Sequence, residues 1–100
     1  MSLDDLTEAV RRKLGENPSL GHTVLIDLGD DGVIMIDGTV NPAIVGNERG
    51  ETETILTLSA ALFGRMLAGE GGATMAYMSG KLKIAGSMGV ALKLNAMMEE

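Results

Sequence analysis

Two alternating runs, TVLIDL over residues 23–28 and VIMIDG over 33–38, stand on either side of Gly29-Asp30-Asp31-Gly32 and constrain this chain more than anything else in it. Period-two alternation on both sides of a Gly- and Asp-rich turn predicts a β-hairpin. A three-residue loop of Asp30, Asp31 and Gly32, with Gly32 at positive φ, puts Val24, Ile26, Leu28, Ile34 and Ile36 on one face. Thr23, Leu25, Asp27, Val33, Met35 and Asp37 then fall on the other. A two-residue loop would slip the register and divide Asp27 from Asp37, so the pattern favours the longer turn. One face must therefore be covered, and the face with both aspartates is expected nearer to water.

The remaining elements supply the cover. Ser2 and Asp5 read as a capping-box variant that opens a helix, in which Leu3, Leu6, Val10 and Leu14 repeat at helical spacing. Gly15 is expected as a left-handed C-cap, and Pro18 prevents the helix from resuming. Arg11, Arg12 and Lys13 suit the negative end of the helix dipole better than they suit a lipid headgroup. After Asn41-Pro42, residues 43–49 predict a weaker strand, which Gly46 and Asn47 mark as an edge or a bulge. Residues 54–58 form a fourth strand with Leu56 and Leu58 inward. Ser59 then caps a helix over 60–68 that Gly69 ends. A short helix over 75–79 capped by Thr74, a fifth strand over 81–85 and a last helix capped by Ser87 complete the order. In the fifth strand, Leu82 and Ile84 point one way and Lys81 and Lys83 the other. The last helix is apolar almost all round and needs covering on most sides. This order predicts a single α+β domain over residues 1–100, with a largely antiparallel sheet covered by helices on one face.

Composition narrows the chemistry. The formal charge of −6, with no basic stripe, argues against nucleic acid as a partner. Zero Cys removes thiol chemistry and disulfides and fits a reducing cytoplasm. No run of about 18 uncharged apolar residues is present, so no membrane span is expected, and no secretory leader is legible. Phe63 and Tyr77 are the only aromatics, while Met66, Met75, Met78, Met88, Met97 and Met98 gather in the last third. Met is unbranched and polarizable and adapts to shapes that vary, so this clustering suggests a deformable apolar site. Gly64, Gly69, Gly71, Gly72, Gly80, Gly86 and Gly89 loosen the same elements.

Catalytic groups are scarce. His22 is the only partner available for a nucleophile, and it reads as a strand-edge residue. Asp27 and Asp37 could mimic an acid/base pair but more simply solubilise the outer face of a hairpin. GEGGAT lacks the lysine and spacing of a phosphate loop, DLGDDG lacks calcium-loop spacing, and no metal constellation exists. These readings point to a non-catalytic protein with no cofactor and no metal. A binding site is better supported. Leu62, Phe63, Met66 and Leu67 would face Met88, Ala91, Leu92, Leu94 and Met97, with Met75, Tyr77 and Met78 at the mouth or floor and Leu82 and Ile84 from the fifth strand.

The run AYMSGKLKIAGSMGVALKL resembles the C-terminal signature of the sterol carrier protein type 2 domain, the non-specific lipid-transfer domain. The matching residues are Tyr77-Met78, Gly80 to Ile84, Gly86-Ser87-Met88 and Ala91-Leu92-Lys93-Leu94. Upstream, ETETILTLSAALFGRMLAGE is similar to the family's fourth strand and following helix. Four features depart from the family. Ala60-Ala61 replaces the acidic residues that usually follow the capping Ser, the strands are shorter than in many members, the aromatic content is low, and Met98-Glu99-Glu100 stands in place of a peroxisomal ending.

The resemblance implies a five-stranded sheet with helices on one face and an apolar tunnel between them. It implies a bacterial-type single domain that binds or transfers a fatty acyl, sterol-like or isoprenoid chain without transforming it. Contact with a membrane surface would then be transient. The rival reading is an interaction module that presents its apolar C-terminal helix to a protein partner, as in the bacterial relatives that serve quinone biosynthesis.

Overall fold

The structure, a computed structural model, describes residues 2–15, 20–70 and 72–98. Its elements are α1 (Leu3–Gly15), β1 (Thr23–Asp27), β2 (Val33–Asp37), β3 (Ile44–Gly46), β4 (Thr54–Thr57), α2 (Ala60–Leu67), α3 (Ala73–Met78), β5 (Lys83–Ala85) and α4 (Met88–Met98). The strands form one sheet in the order β3-β2-β1-β4-β5. Three neighbouring pairs are antiparallel and β1–β4 is parallel, so the sheet is mixed.

The hairpin keeps the predicted faces but not the predicted loop. Leu28 N–H donates to the Gly32 carbonyl at 2.9 Å, and a single 3-10 turn over Gly29–Asp31 joins the strands. The loop still has three residues but starts one earlier, and the register moves by two in total, to Val24 opposite Ile36 and Ile26 opposite Ile34. A shift of two preserves the parity of the pleat, so no side chain changes face. Gly29 and Gly32 both have positive φ, at 67° and 112°, which the turn requires. Val24, Ile26, Ile34 and Ile36 have no exposed surface, and Leu28, Leu56 and Leu58 are buried with them.

The opposite face is drier than the alternation predicts. Leu25 and Val33 are buried there. The chain between β3 and β4 crosses this face as a strap. Arg49 Nη1 pairs with Asp27 Oδ2 at 3.2 Å, Gly50 lies against the Met35 methyl, and Glu53 N–H donates to Thr23 Oγ1 at 2.9 Å. A parallel pair needs a crossover connection, and here that crossover covers the centre of the outer face. Asp27 and Asp37 stay half-buried at its margins.

Local signals explain most helix starts. Ser2 N–H donates to Asp5 Oδ2 and Asp5 N–H to Ser2 Oγ, a reciprocal cap. Ser59 Oγ accepts from Leu62 N–H at 3.1 Å, and Ser87 Oγ from Val90 N–H at 3.2 Å. Two end signals come out differently. Gly15 remains within α1 and is not at positive φ, whereas Pro18 lies outside the described residues. α3 begins at Ala73 with Gly72 as cap, so Thr74 sits inside its first turn. β3 and β5 are also shorter than predicted, because edge strands keep only the residues that their single neighbour pairs.

Gly86 fixes where the last helix meets the sheet. A Cβ there would lie 2.4 Å from the Glu53 carbonyl oxygen and 3.0 Å from Thr54 Cα, and its φ is 107°. Next to it, Ser87 N–H donates to the buried Thr54 Oγ1 at 3.1 Å. Gly86→Ala is therefore expected to lower unfolding free energy by about 2–4 kcal/mol, because strain adds to a clash with backbone. Gly69→Ala, at positive φ but in open space, should cost only about 1 kcal/mol. Urea unfolding of both variants checks the difference, and equal losses would contradict the close approach.

The strap contributes to the acid sensitivity, alongside Asp5 and Asp37, which hydrogen bonds from Ser2 and Thr39 also hold below the ordinary range. A hydrogen bond from Gly29 N–H, then the Arg49 guanidinium, holds the Asp27 carboxyl below its ordinary range. Hydrogen bonds from His22 and then Thr23 N–H do the same for Glu53. Both contributions are complete above the ordinary carboxylate pKa of about 4 and fade as the pH falls through the lowered values. Thermal stability should thus fall at the acid end. Asp27→Asn should flatten that limb and leave the neutral-to-alkaline side parallel to wild type.

Candidate functional site

The four helices do not cover the inner sheet face evenly. α1 lies over its β3 side and against α2 and α4, and it buries Leu6, Val10 and Leu14. Over β4 and β5 the cover is α4 with the short α2 and α3, and between these elements an apolar cavity of about 190 Å³ remains. Leu56, Leu58, Leu82 and Ile84 come from the sheet side. Phe63 and Met66 come from α2, Ala73, Thr74 and Tyr77 from α3, and Met88, Ala91, Leu92, Asn95 and Met98 from α4.

Helical spacing explains this selection. Met88, Ala91, Leu92, Asn95 and Met98 recur every three or four residues and share one side of α4. Leu94 lies off that stripe, has no exposed surface and belongs to the packed core, as do Leu62 and Leu67. Met97 packs partly buried against the same core. In α3, Ala73 and Ala76 take the inward positions one turn apart. The same spacing sends Met75 and Met78 outward, where they are 70% and 76% exposed. The sequence places Leu62, Leu67, Leu94, Met97, Met75 and Met78 at the cavity, and none of them lines it. Phe63, Met66, Tyr77, Leu82, Ile84, Met88, Ala91 and Leu92 do line it.

Six lining residues are not among those that the sequence places at the cavity: Leu56, Leu58, Ala73, Thr74, Asn95 and Met98, although Met98 belongs to the methionine cluster. Asn95 and Met98 could have been found by continuing the Met88–Leu92 stripe one more turn. Leu56 and Leu58 could not, because nothing local separates a covered strand end from an uncovered one.

No lining residue carries a formal charge, and the polar contributors are Thr74, Asn95 and Tyr77. Apolar cavities of about 150 Å³ remain dry and admit apolar guests. An ionised group inside this one would lose its hydration with no opposite charge to meet it. Tyr77, Met88 and Leu92 line the cavity and are also 40–44% exposed, so they form its rim. The titratable pairs lie elsewhere. His22 Nδ1 is 3.1 Å from Glu53 Oε1 at the strap, and Asp27 meets Arg49 on the outer face. No hydrogen bond or ion pair joins Asp27 to Asp37, which accepts from Thr39 N–H and Thr39 Oγ1.

Comparison with known proteins agrees with this architecture. The model of the SCP-2 sterol transfer family matches residues 2–99. Hydroxysteroid dehydrogenase-like protein 2 of Xenopus laevis is 45% identical over 49 residues, which is 49% of this chain and 12% of that protein. The chain thus spans only a small part of that relative's length. Among solved structures, sterol carrier protein-2 of Aedes aegypti in complex with palmitate superposes with a TM-score of 0.80 at 17% identity, covering 98% of this chain and 96% of that one. A structure titled UbiJ-SCP2 ubiquinone synthesis protein gives 0.75 at 15% identity, covering 96% and 91%. At these identities the superpositions speak for the fold, and the family follows from the match along nearly the whole sequence: this chain belongs to the SCP-2 sterol transfer family.

Proposed function

We propose that the protein holds and carries a lipid-like molecule with a long apolar chain, fatty acyl, sterol-like or isoprenoid, in the cavity between α2, α3, α4 and the sheet, and does not transform it. The observation that carries this reading is the uncharged, nearly all-apolar lining in a member of a sterol-transfer family. Removing apolar ligand surface from water contributes about 25 cal/mol per Å², so a hydrocarbon chain can bind without strong polar contacts. The palmitate held by the Aedes aegypti protein supports the same ligand class. The lining hydroxyls of Thr74 and Tyr77 have no His, Lys or carboxylate beside them among the lining residues to activate them, which fits binding without chemistry, and the cysteine-free sequence suits the cytoplasm.

The cavity as it stands is smaller than the roughly 300–1,000 Å³ of ordinary ligand pockets. A long chain must therefore move a wall. α3 is the weakest, because it is six residues long, buries only Ala73 and Ala76, and is followed two residues on by Gly80 with φ of 77°. Elements with so little buried apolar surface open at low free-energy cost. A second role, presentation of α4 to a protein partner in quinone or isoprenoid synthesis, draws support from the likeness to the ubiquinone synthesis protein. Most of the apolar surface of α4 is nevertheless used within the fold, where Val90, Ala91, Leu94 and Met98 are buried. This packing favours a carrier over a presented helix.

Titration with fluorescent fatty acyl and isoprenoid probes, together with native mass spectrometry of fresh protein, tests the proposal. Saturable binding is expected, and a well-folded sample that binds none of the probes would sink it. Met66→Trp and Leu92→Trp should reduce probe affinity at least tenfold while urea stability changes by less than about 1 kcal/mol, because the added bulk enters empty space. If these positions are ordinary core, overpacking should cost about 1–3 kcal/mol with binding unchanged. Amides of α3 should exchange fastest among the helices in the free protein and slow on ligand addition, as hydrogen-exchange mass spectrometry can read directly.

A further inference from the structure

Glu53 and Thr54 are consecutive at the start of β4, and the pleat sends their side chains to opposite faces of the sheet. Glu53 is exposed on the outer face and is not among the residues that line the cavity. It is tied three times to the start of β1. Its Oε2 accepts from Thr23 N–H at 3.1 Å, its Oε1 lies 3.1 Å from His22 Nδ1, and its own N–H donates to Thr23 Oγ1 at 2.9 Å. Thr54 has no exposed surface, and its Oγ1 accepts from Ser87 N–H at 3.1 Å. Ser87 Oγ then caps α4, whose first residue, Met88, lines the cavity. The Glu53 carbonyl itself is the atom that a Cβ on Gly86 would meet at 2.4 Å.

We propose that Glu53 is a positioning residue for the ligand cavity. From the outer face it pins the start of β4 to the start of β1, and through Thr54 and Ser87 that pin sets where the first turn of α4 stands over the sheet. The inference rests on the carrier reading of the cavity and adds a residue that acts on binding without touching the ligand. The ladder between β1 and β4 begins at Val24 and Thr54, and the chain before Glu53 is the strap, which forms no strand. The Glu53 side chain therefore holds the end of the ladder on which α4 is hung. Without it the Thr23 amide loses its acceptor, and the segment that bears both the Glu53 carbonyl and Thr54 Oγ1 loses its tie to β1. Close-packed interiors transmit such a shift, here to Gly86, Ser87 and then Met88. Arg49 supplies the comparison. It belongs to the same strap, but it is tied to Asp27 at the other end of β1.

Titration with the fluorescent fatty acyl probe dansyl-undecanoic acid, alongside amide exchange followed by NMR, tests the proposal. Glu53→Ala should weaken probe affinity by about fivefold, within the range carried along packed networks. Glu53→Gln keeps an acceptor for the Thr23 amide and should restore most of that loss. Arg49→Gln removes a tie of the same strap and should leave affinity unchanged. Thr54→Val, which deletes the acceptor of the Ser87 amide, should weaken binding as Glu53→Ala does, and the two losses should combine to less than their product because both act through one contact. The Ser87 amide should exchange faster in Glu53→Ala and not in Arg49→Gln. That measurement needs no ligand, so a wild-type protein that binds no probe would defeat the carrier reading while exchange at Ser87 still decides the link from Glu53 to α4. Unchanged affinity in Glu53→Ala would overturn the proposal. So would an equal loss in Arg49→Gln, or losses in Glu53→Ala and Thr54→Val that multiply in full.

Discussion

A sheet with one wholly apolar face has to be covered across its full width, and in this protein four helices of unequal length do so unevenly. The side of β1, β2 and β3 is sealed, since Val24, Ile26, Ile34 and Ile36 have no exposed surface beneath the helix layer. The side of β4 and β5 is sealed only by α4 and the shorter α2 and α3, and the space they fail to fill is the cavity. Interiors are otherwise packed about as densely as organic crystals, so an unfilled apolar volume is an exception that the fold has to hold open. The sheet, α2 and α4 surround it on three sides, and the remaining side is the six-residue α3.

What keeps the cavity from collapsing is the way α4 is anchored. Gly86 passes close against the Glu53 carbonyl and Thr54, and the Ser87 amide is tied to the buried Thr54 hydroxyl. Those contacts fix the start of α4 against the inner edge of β4, while Leu94 and Val90 are buried on its other flank. With both fixed, the stripe from Met88 to Met98 spans the opening as a roof. α3 is held at its far end by the Lys81 and Leu82 amides on the Ala76 carbonyl, and only Ala73 and Ala76 are buried beneath it. The helix that bears the rim is therefore also the helix that can yield, and this links the packing of two alanines to the entry of a ligand.

The outer face of the sheet shows the opposite economy of contacts. A strap of a few polar residues closes over Leu25 through Arg49–Asp27, Gly50–Met35 and Glu53–Thr23. Asp27 and Glu53 hold lowered pKa values through the hydrogen bonds they make here, so these two carboxylates serve the crossover and stand apart from the apolar site.

The strands, their faces, most of the caps and the α+β class were legible in the sequence, because period-two alternation and Ser caps are local and strong. The resemblance carried by Tyr77 to Leu94 added the family and the sheet-with-cavity plan. The loop residues of the hairpin were misassigned by one, yet every side chain stayed on its face, since parity and not loop identity decides that. The dry outer face was not legible, because it depends on the strap returning over Leu25. Nor was the full set of residues around the apolar cavity. Met75, Met78, Leu62, Leu67, Leu94 and Met97 are as apolar as the residues that line the cavity, and composition cannot tell a wall from a core or a surface. The sequence by itself determined which residues are apolar and at what period they recur. Only the tertiary structure decided which of them face empty space, because that depends on the rotation of each helix against a sheet that local periodicity does not encode.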